Sequence, residues 1–275
     1  MTITTPSRPG RWLSVLLIVL GSLGAVYAIG GGVVRGVAAH AATSQSWTAD
    51  ADGVAALRID TSAAAFQVRY ADVDEATLDV TTDGGPVQQW RLERSGDALV
   101  VDADRRWRWF GFGIMFADRA GEERAVLTLP AALERDELDL EASVAAGSLE
   151  ADGSWGAVAV DLSAGSAELA GTAASLDLDV SAGEARLDLA DARTVDLQVS
   201  AGRIVGALTG DQPDAIVASA SAGSVELAIP DGTYDVTEDA SAGDATIDVT
   251  DEAGAASTID VDVSAGSVTL RGESR

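Results

Sequence analysis

The sequence contains no cysteine, no lysine and a single histidine. Without cysteine there is no disulfide framework and no thiolate nucleophile. Without lysine there is neither a Schiff base nor a phosphate-cradling Walker lysine. The one imidazole, His40, lies near the N-terminus, so the rest of the chain can build neither a Ser-His-Asp triad nor a His/Cys metal site. Aromatic residues make up only 5% of the 275 positions. Between Val144 and Leu270 they are reduced to Trp155 and Tyr234, too few for the sugar platforms that polysaccharide-cleaving β-helices set beside their acids. Basic charge is scarce as well: 18 arginines stand against 44 acids, a net charge of −26, and such a surface repels nucleic acid and anionic headgroups. Arginine in place of every lysine, with abundant Ala, Gly, Asp and Val, fits coding in a GC-rich bacterium.

What the sequence does have is a repeat. Ser-Ala-Gly or a close variant recurs with its glycine at Gly147, Gly165, Gly183, Gly202, Gly223, Gly243 and Gly266, at spacings of 18, 18, 19, 21, 20 and 23 residues. A period near twenty indicates one supersecondary unit stacked on copies of itself. Apolar residues stand seven before each glycine (Leu140, Val158, Leu176, Val195, Ile216, Val236, Ile259) and three before it (Val144, Leu162, Val180, Val199, Ala220, Ala240, Val263). The alanine directly before the glycine has the same parity, so the three positions are expected on one inward face. After the glycine the parity flips, and pairs such as Ala167 and Leu169 or Val268 and Leu270 point inward. Each unit therefore reads as two short strands meeting at a constant corner, followed by a second corner of variable length, which is where insertions are expected. Stacking gives an all-β fold, a β-solenoid resembling a parallel β-helix, with seven coils spanning about 34 Å at about 4.8 Å each. The alternative is an antiparallel β-sandwich built of hairpins.

The preceding region is less regular. Leu57 to Val68 fits the template with Ala64 at the glycine position and reads as a degenerate first coil. Val87–Glu93 and Ala98–Asp102 read as a strand pair, and Arg124–Leu129 as a strand ended by Pro130. Residues 47–275 are expected to form one elongated domain, irregular over 47–135 and repetitive over 136–275.

From Trp12 to Val34 no residue is charged. At about 1.5 Å per residue that stretch reaches roughly 34 Å, enough to cross a bilayer. Arg8 and Arg11 precede it, and the acids all follow it, 44 against 15 arginines in residues 47–275. Positive-inside logic then makes residues 1–11 cytoplasmic, 12–34 a transmembrane signal anchor, 35–46 a linker and the remainder extracellular. The alternative is a signal peptide cleaved after Ala41, at the A-x-A sequence Ala39-His40-Ala41. Both export the acidic part, whose charge keeps an exposed β-rod soluble.

The repeated corner serines have no base beside them, so no catalytic residue is assigned and no cofactor is expected. Asp161 and Asp179 stand four before their glycines in consecutive units, as do Asp239 and Asp262. Stacked about 4.8 Å apart, such pairs repel, which solvation alone can absorb or a weakly bound Ca²⁺ would relieve. One cluster stands apart: Arg105, Arg106, Trp107, Arg108, Trp109, Phe110, Phe112 and Phe116. It reads either as a cap over the end of the core or as a loop that meets a membrane or a partner.

The N-terminal anchor, the Leu-Pro at Leu129 and the run of Val-Ser-Ala-Gly-Ser-Val units resemble the bacterial putative-adhesin family of cell-surface β-strand-repeat domains. The resemblance covers about residues 50–270. It implies a solenoid-like, non-enzymatic surface domain that contacts cell-wall polymer or another envelope protein. It supplies no catalytic residues. Alternatives are an accessory or sensory subunit of an envelope-stress membrane system and, third, a polysaccharide-active β-helix enzyme.

Overall fold

A computed structural model describes residues 43–83, 87, 89–103 and 123–273. These residues form an all-β fold with one short helix. The strands are β1 (Thr43–Ala49), β2 (Ala56–Thr61), β3 (Ala64–Ala71), β4 (Ala76–Thr82), β5 (Trp90–Ser95), β6 (Ala98–Ala103), β7 (Glu123–Pro130), β8 (Leu138–Val144) and β9 (Gly147–Ala190). There follow β10 (Thr194–Val199), β11 (Arg203–Thr209), β12 (Ala215–Ala220), β13 (Ser224–Pro230), β14 (Thr233–Ala240), β15 (Asp244–Asp248), β16 (Thr250–Asp251), β17 (Ser257–Val263) and β18 (Ser267–Glu273). Helix α1 (Ala131–Arg135) lies between β7 and β8. The hairpin read over Val87–Asp102 appears as β5 and β6, and the strand ending at Pro130 as β7.

Period-two patterning decides which side chains are buried. In β17, Ile259, Val261 and Val263 are buried, whereas Thr258, Asp260 and Asp262 face solvent. One apolar core runs from Ala51 to Leu270, filled mainly by the rows seven, five and three residues before the glycines and two and four after them. Around Gly243 the expected inward Ala240 is instead exposed, and Val236, Ala245 and Ile247 are only partly buried, because that coil is outermost.

The repeat strands pair in parallel and in repeat register. Val195 stands opposite both Leu176 and Ile216, and Ile204 opposite both Ala185 and Val225. Ala64 does lie at the glycine position, facing Gly147. Among the described residues antiparallel ladders occur only where β1 joins β4, β4 joins β7 and β5 joins β6.

Coil order departs from chain order at both ends. The coil of β2 and β3 lies between that of β6 and β7 and that of β8 and the start of β9. At the other end β17 lies between β12 and β14, and β18 between β13 and β15. The last coil of the chain is therefore inside, and the coil before it is outermost. Side-chain polarity accounts for the exchange. Five residues before the glycine, buried Ala142, Val160, Leu178, Leu197, Ala218 and Val261 have Glu238 as their counterpart in the outer coil, and Glu238 is exposed. An end coil needs one polar face, and a carboxylate inside would be expensive.

Two expectations about the corners need correction. The alanine before each glycine is not inward: Ala146, Ala182, Ala201, Ala222, Ala242 and Ala265 are exposed and Ala164 is half-buried. The chain leaves the inward alternation before the glycine, at the Ser-Ala pair itself. The glycines are required mainly by close approach, since a Cβ on each would run into the backbone of the neighbouring coil. Gly147, Gly165 and Gly183 also have positive φ, at 129°, 114° and 156°.

Nor is the variable corner the only site of insertion. Register aligns Ala103 with Thr61 and Glu123 with Ala64, so residues 104–122 occupy the place of the two-residue Ser-Ala corner.

Candidate interaction surfaces

On the strands before the corner the outward row carries the predicted carboxylates. Asp239 faces Asp262 directly. Asp179 faces Gln198, and Asp161 faces Ser143 of β8. A second acidic pair lies two residues earlier, where Asp177 stands opposite Asp196. Burial, and then the charges of Asp196 and Asp161, hold the Asp177 carboxyl above the usual carboxylate range. Oδ1 of Asp196 has no hydrogen-bond partner among the described residues. Among those residues no three His, Cys, Asp or Glu side chains are grouped to hold a metal ion. On the strands after the corner the charges mix, with Arg186 paired to Glu184 and Gln67 donating to Glu150 at 3.1 Å.

A shallow cleft of about 360 Å³ lies over the variable corners. Leu208, Thr209, Gly210, Gln212, Pro230, Asp231 and Glu273 line it. Beside it Tyr234 is fully buried and donates its hydroxyl to the Pro230 carbonyl at 2.8 Å. Burial and then Asp231 push its pKa up to about 12, so its hydroxyl stays protonated near neutral pH. The cleft's polar groups serve the corner itself: Gln212 donates to Thr233 and the Asp231 amide to Glu273.

At the opposite end of the stack β5 covers the core with Trp90 and Leu92, and Trp90 stacks on Phe66 with centroids 5.9 Å apart. The Arg105–Phe116 cluster lies outside the described residues, although its flanking residues Ala103 and Glu123 fix where it leaves the fold. Thr43 of β1 is level with Thr82, which is level with Glu123. The segment that follows residues 12–34 thus enters the fold at the same corner. Residues 12–34 also lie outside the described residues, among which no helix is long and apolar enough to cross a membrane.

Sequence reasoning missed the polar outer coil. Its signal was present, because Glu238 breaks a row that is otherwise apolar.

No protein-family model matches this chain, and no curated protein matches it. Several solved structures align with this chain at low identity. A putative cell adhesion protein from Clostridium sporogenes shares 7% identity, covering 85% of this chain and 100% of its own, with a TM-score of 0.33. A putative adhesin from Parabacteroides distasonis shares 12% identity over 84% of this chain and 98% of its own, with a TM-score of 0.42. A putative lipid binding protein from the same organism shares 12% identity over 82% and 96%, with a TM-score of 0.32.

Proposed function

We propose that this chain is a non-enzymatic cell-surface module. In this reading residues 12–34 anchor it in the membrane, residues 47–275 lie outside, and their coils form a β-solenoid rod that contacts cell-wall polymer or another envelope protein. The observation that carries the reading is the parallel, in-register pairing of like coils around a filled core. That arrangement puts its chemistry on long outward rows rather than in a pocket. The rows are rich in carboxylates, which suits contact with cationic groups of a partner and resists sideways strand pairing.

The test is topological. Protease added to intact cells is expected to digest the repeat region and to leave a tag placed before Arg8 protected. Release of full-length protein from membranes by high salt, or protection of the repeat region in intact cells, would overturn the reading.

A further inference from the structure

The two ends of the stack differ. At one end the edges of β6 and β7 are covered by antiparallel β5 and β4, and β4 in turn by β1. At the other, β15 pairs with β18 alone among the described residues. Its free edge offers backbone N–H and C=O groups from Asp244 to Asp248. Its inward residues Ala245 and Ile247 are only partly buried, whereas Val268 and Leu270, opposite them on β18, are fully buried. Its outward ends are Asp244 and Asp248, both exposed. Residues 233–256 hold seven acids and no base. Acidic side chains alone would only protect an edge. The half-covered apolar row beside them asks for a strand that alternates apolar and cationic residues.

This chain contains such a segment. Arg106-Trp107-Arg108-Trp109 alternates cation and aromatic at strand period. It cannot reach β15 of its own molecule. From β7 to β15 the stack counts eight rungs, about 38 Å at about 4.8 Å per rung, whereas the six residues from Ala103 to Trp109 extend at most about 21 Å. We propose that the free edge of β15 receives residues Arg106–Trp109 of a second copy of this chain, so that molecules associate head to tail. The aromatic rings cover Ala245 and Ile247. Arg106 then stands opposite Asp244 or Asp248, according to strand direction, and Arg108 opposite Thr246, from where it reaches diagonally to the carboxylates on either side. Because the donor and the acceptor are different surfaces, the contact does not close on itself and propagates into chains. It holds for an anchored or a cleaved molecule alike.

The experiment is sedimentation of the full chain in detergent micelles over a range of protein concentrations and salt. The native chain is expected to grow in mass with concentration and to dissociate as salt rises. Asp244→Arg with Asp248→Arg, or Arg106→Glu with Arg108→Glu, should each weaken association at least tenfold. All four changes in one chain should restore it. A synthetic peptide of residues 104–112 should compete with assembly of the native chain. Thermal melts check that each variant folds, and Asp244→Asn with Asp248→Asn replaces the arginine pair if that pair unfolds the coil. A native chain that stays monomeric at every concentration overturns the proposal. So does association indifferent to both reversals, or association that the four-fold variant fails to restore.

Discussion

Gly165→Ala isolates the close packing of neighbouring coils. Gly165 has φ +114°, and a Cβ there would overlap the carbonyl of Gly147 and lie 2.9 Å from its amide nitrogen. Backbone cannot rotate aside as a side chain can, so the two coils must part. Positive φ alone costs a residue with a side chain about 1–2 kcal/mol. Parting the coils weakens two or three ladder hydrogen bonds, each worth about 1 kcal/mol net. The expected loss is about 3–5 kcal/mol, a large fraction of the roughly 5–15 kcal/mol that holds an ordinary domain together. Gly96→Ala is the control, since Gly96 has φ +68° and nothing within 4 Å of the added Cβ; only the dihedral term applies. Equilibrium unfolding in urea, followed by circular dichroism, measures both. Equal destabilisation of the two variants would refute the close-approach argument.

Two further predictions concern other sites. Gly202→Val should destabilise by more than about 2 kcal/mol, although φ at this position is not left-handed: its Cβ would come 2.8 Å from Val180 Cγ1 and crowd the Gly183 carbonyl. The change Ala207→Val, at a half-buried outward position, should shift the melt far less, and equal shifts would count against the register. Asp177→Asn should raise the melting temperature slightly at neutral pH. The folded-state pKa of this acid is raised, so the native state holds its proton more tightly than the unfolded state and stability rises as pH falls through that pKa. The gain from the amide should therefore shrink below the usual carboxylate range, and a gain that grew there would refute the assignment.

The repeat alone makes the core legible. Rows such as Val144, Leu162 and Val180 or Val225 and Leu227 follow from period two and a constant corner, and all are buried. Ala64 as a degenerate corner is legible for the same reason. Coil order is not, because any two like coils match in register, and adjacency in sequence says nothing about which pair is preferred. The preference comes from one polar residue in an apolar row, Glu238, and from the need to cover an end. The corner alanines mislead because parity assumes an extended strand through a position where the chain turns. Outward chemistry is only partly legible. The facing of Asp239 and Asp262 needs only the common register. The facing of Asp177 and Asp196, each six residues before its glycine, follows from the same register; the burial that leads in raising the Asp177 pKa does not.

The exchange of the last two coils can be tested with engineered cysteines, since the chain has none of its own. Ala222, Ala242 and Ala265 are exposed and hold equivalent corner positions. The Ala265 amide donates to Ser221 at 2.8 Å and the Ala242 amide to Ser264 at 3.0 Å, so the corner of 265 lies between the other two. Neighbouring rungs place Cα atoms about 4.8 Å apart, within disulfide range, and alternate rungs about 9.6 Å, beyond it. Under mild oxidation the Ala222→Cys/Ala265→Cys and Ala242→Cys/Ala265→Cys variants should each form an intramolecular disulfide, and Ala222→Cys/Ala242→Cys should not. Ready closure of the 222–242 pair with failure of the 222–265 pair would show coils stacked in chain order and contradict the account.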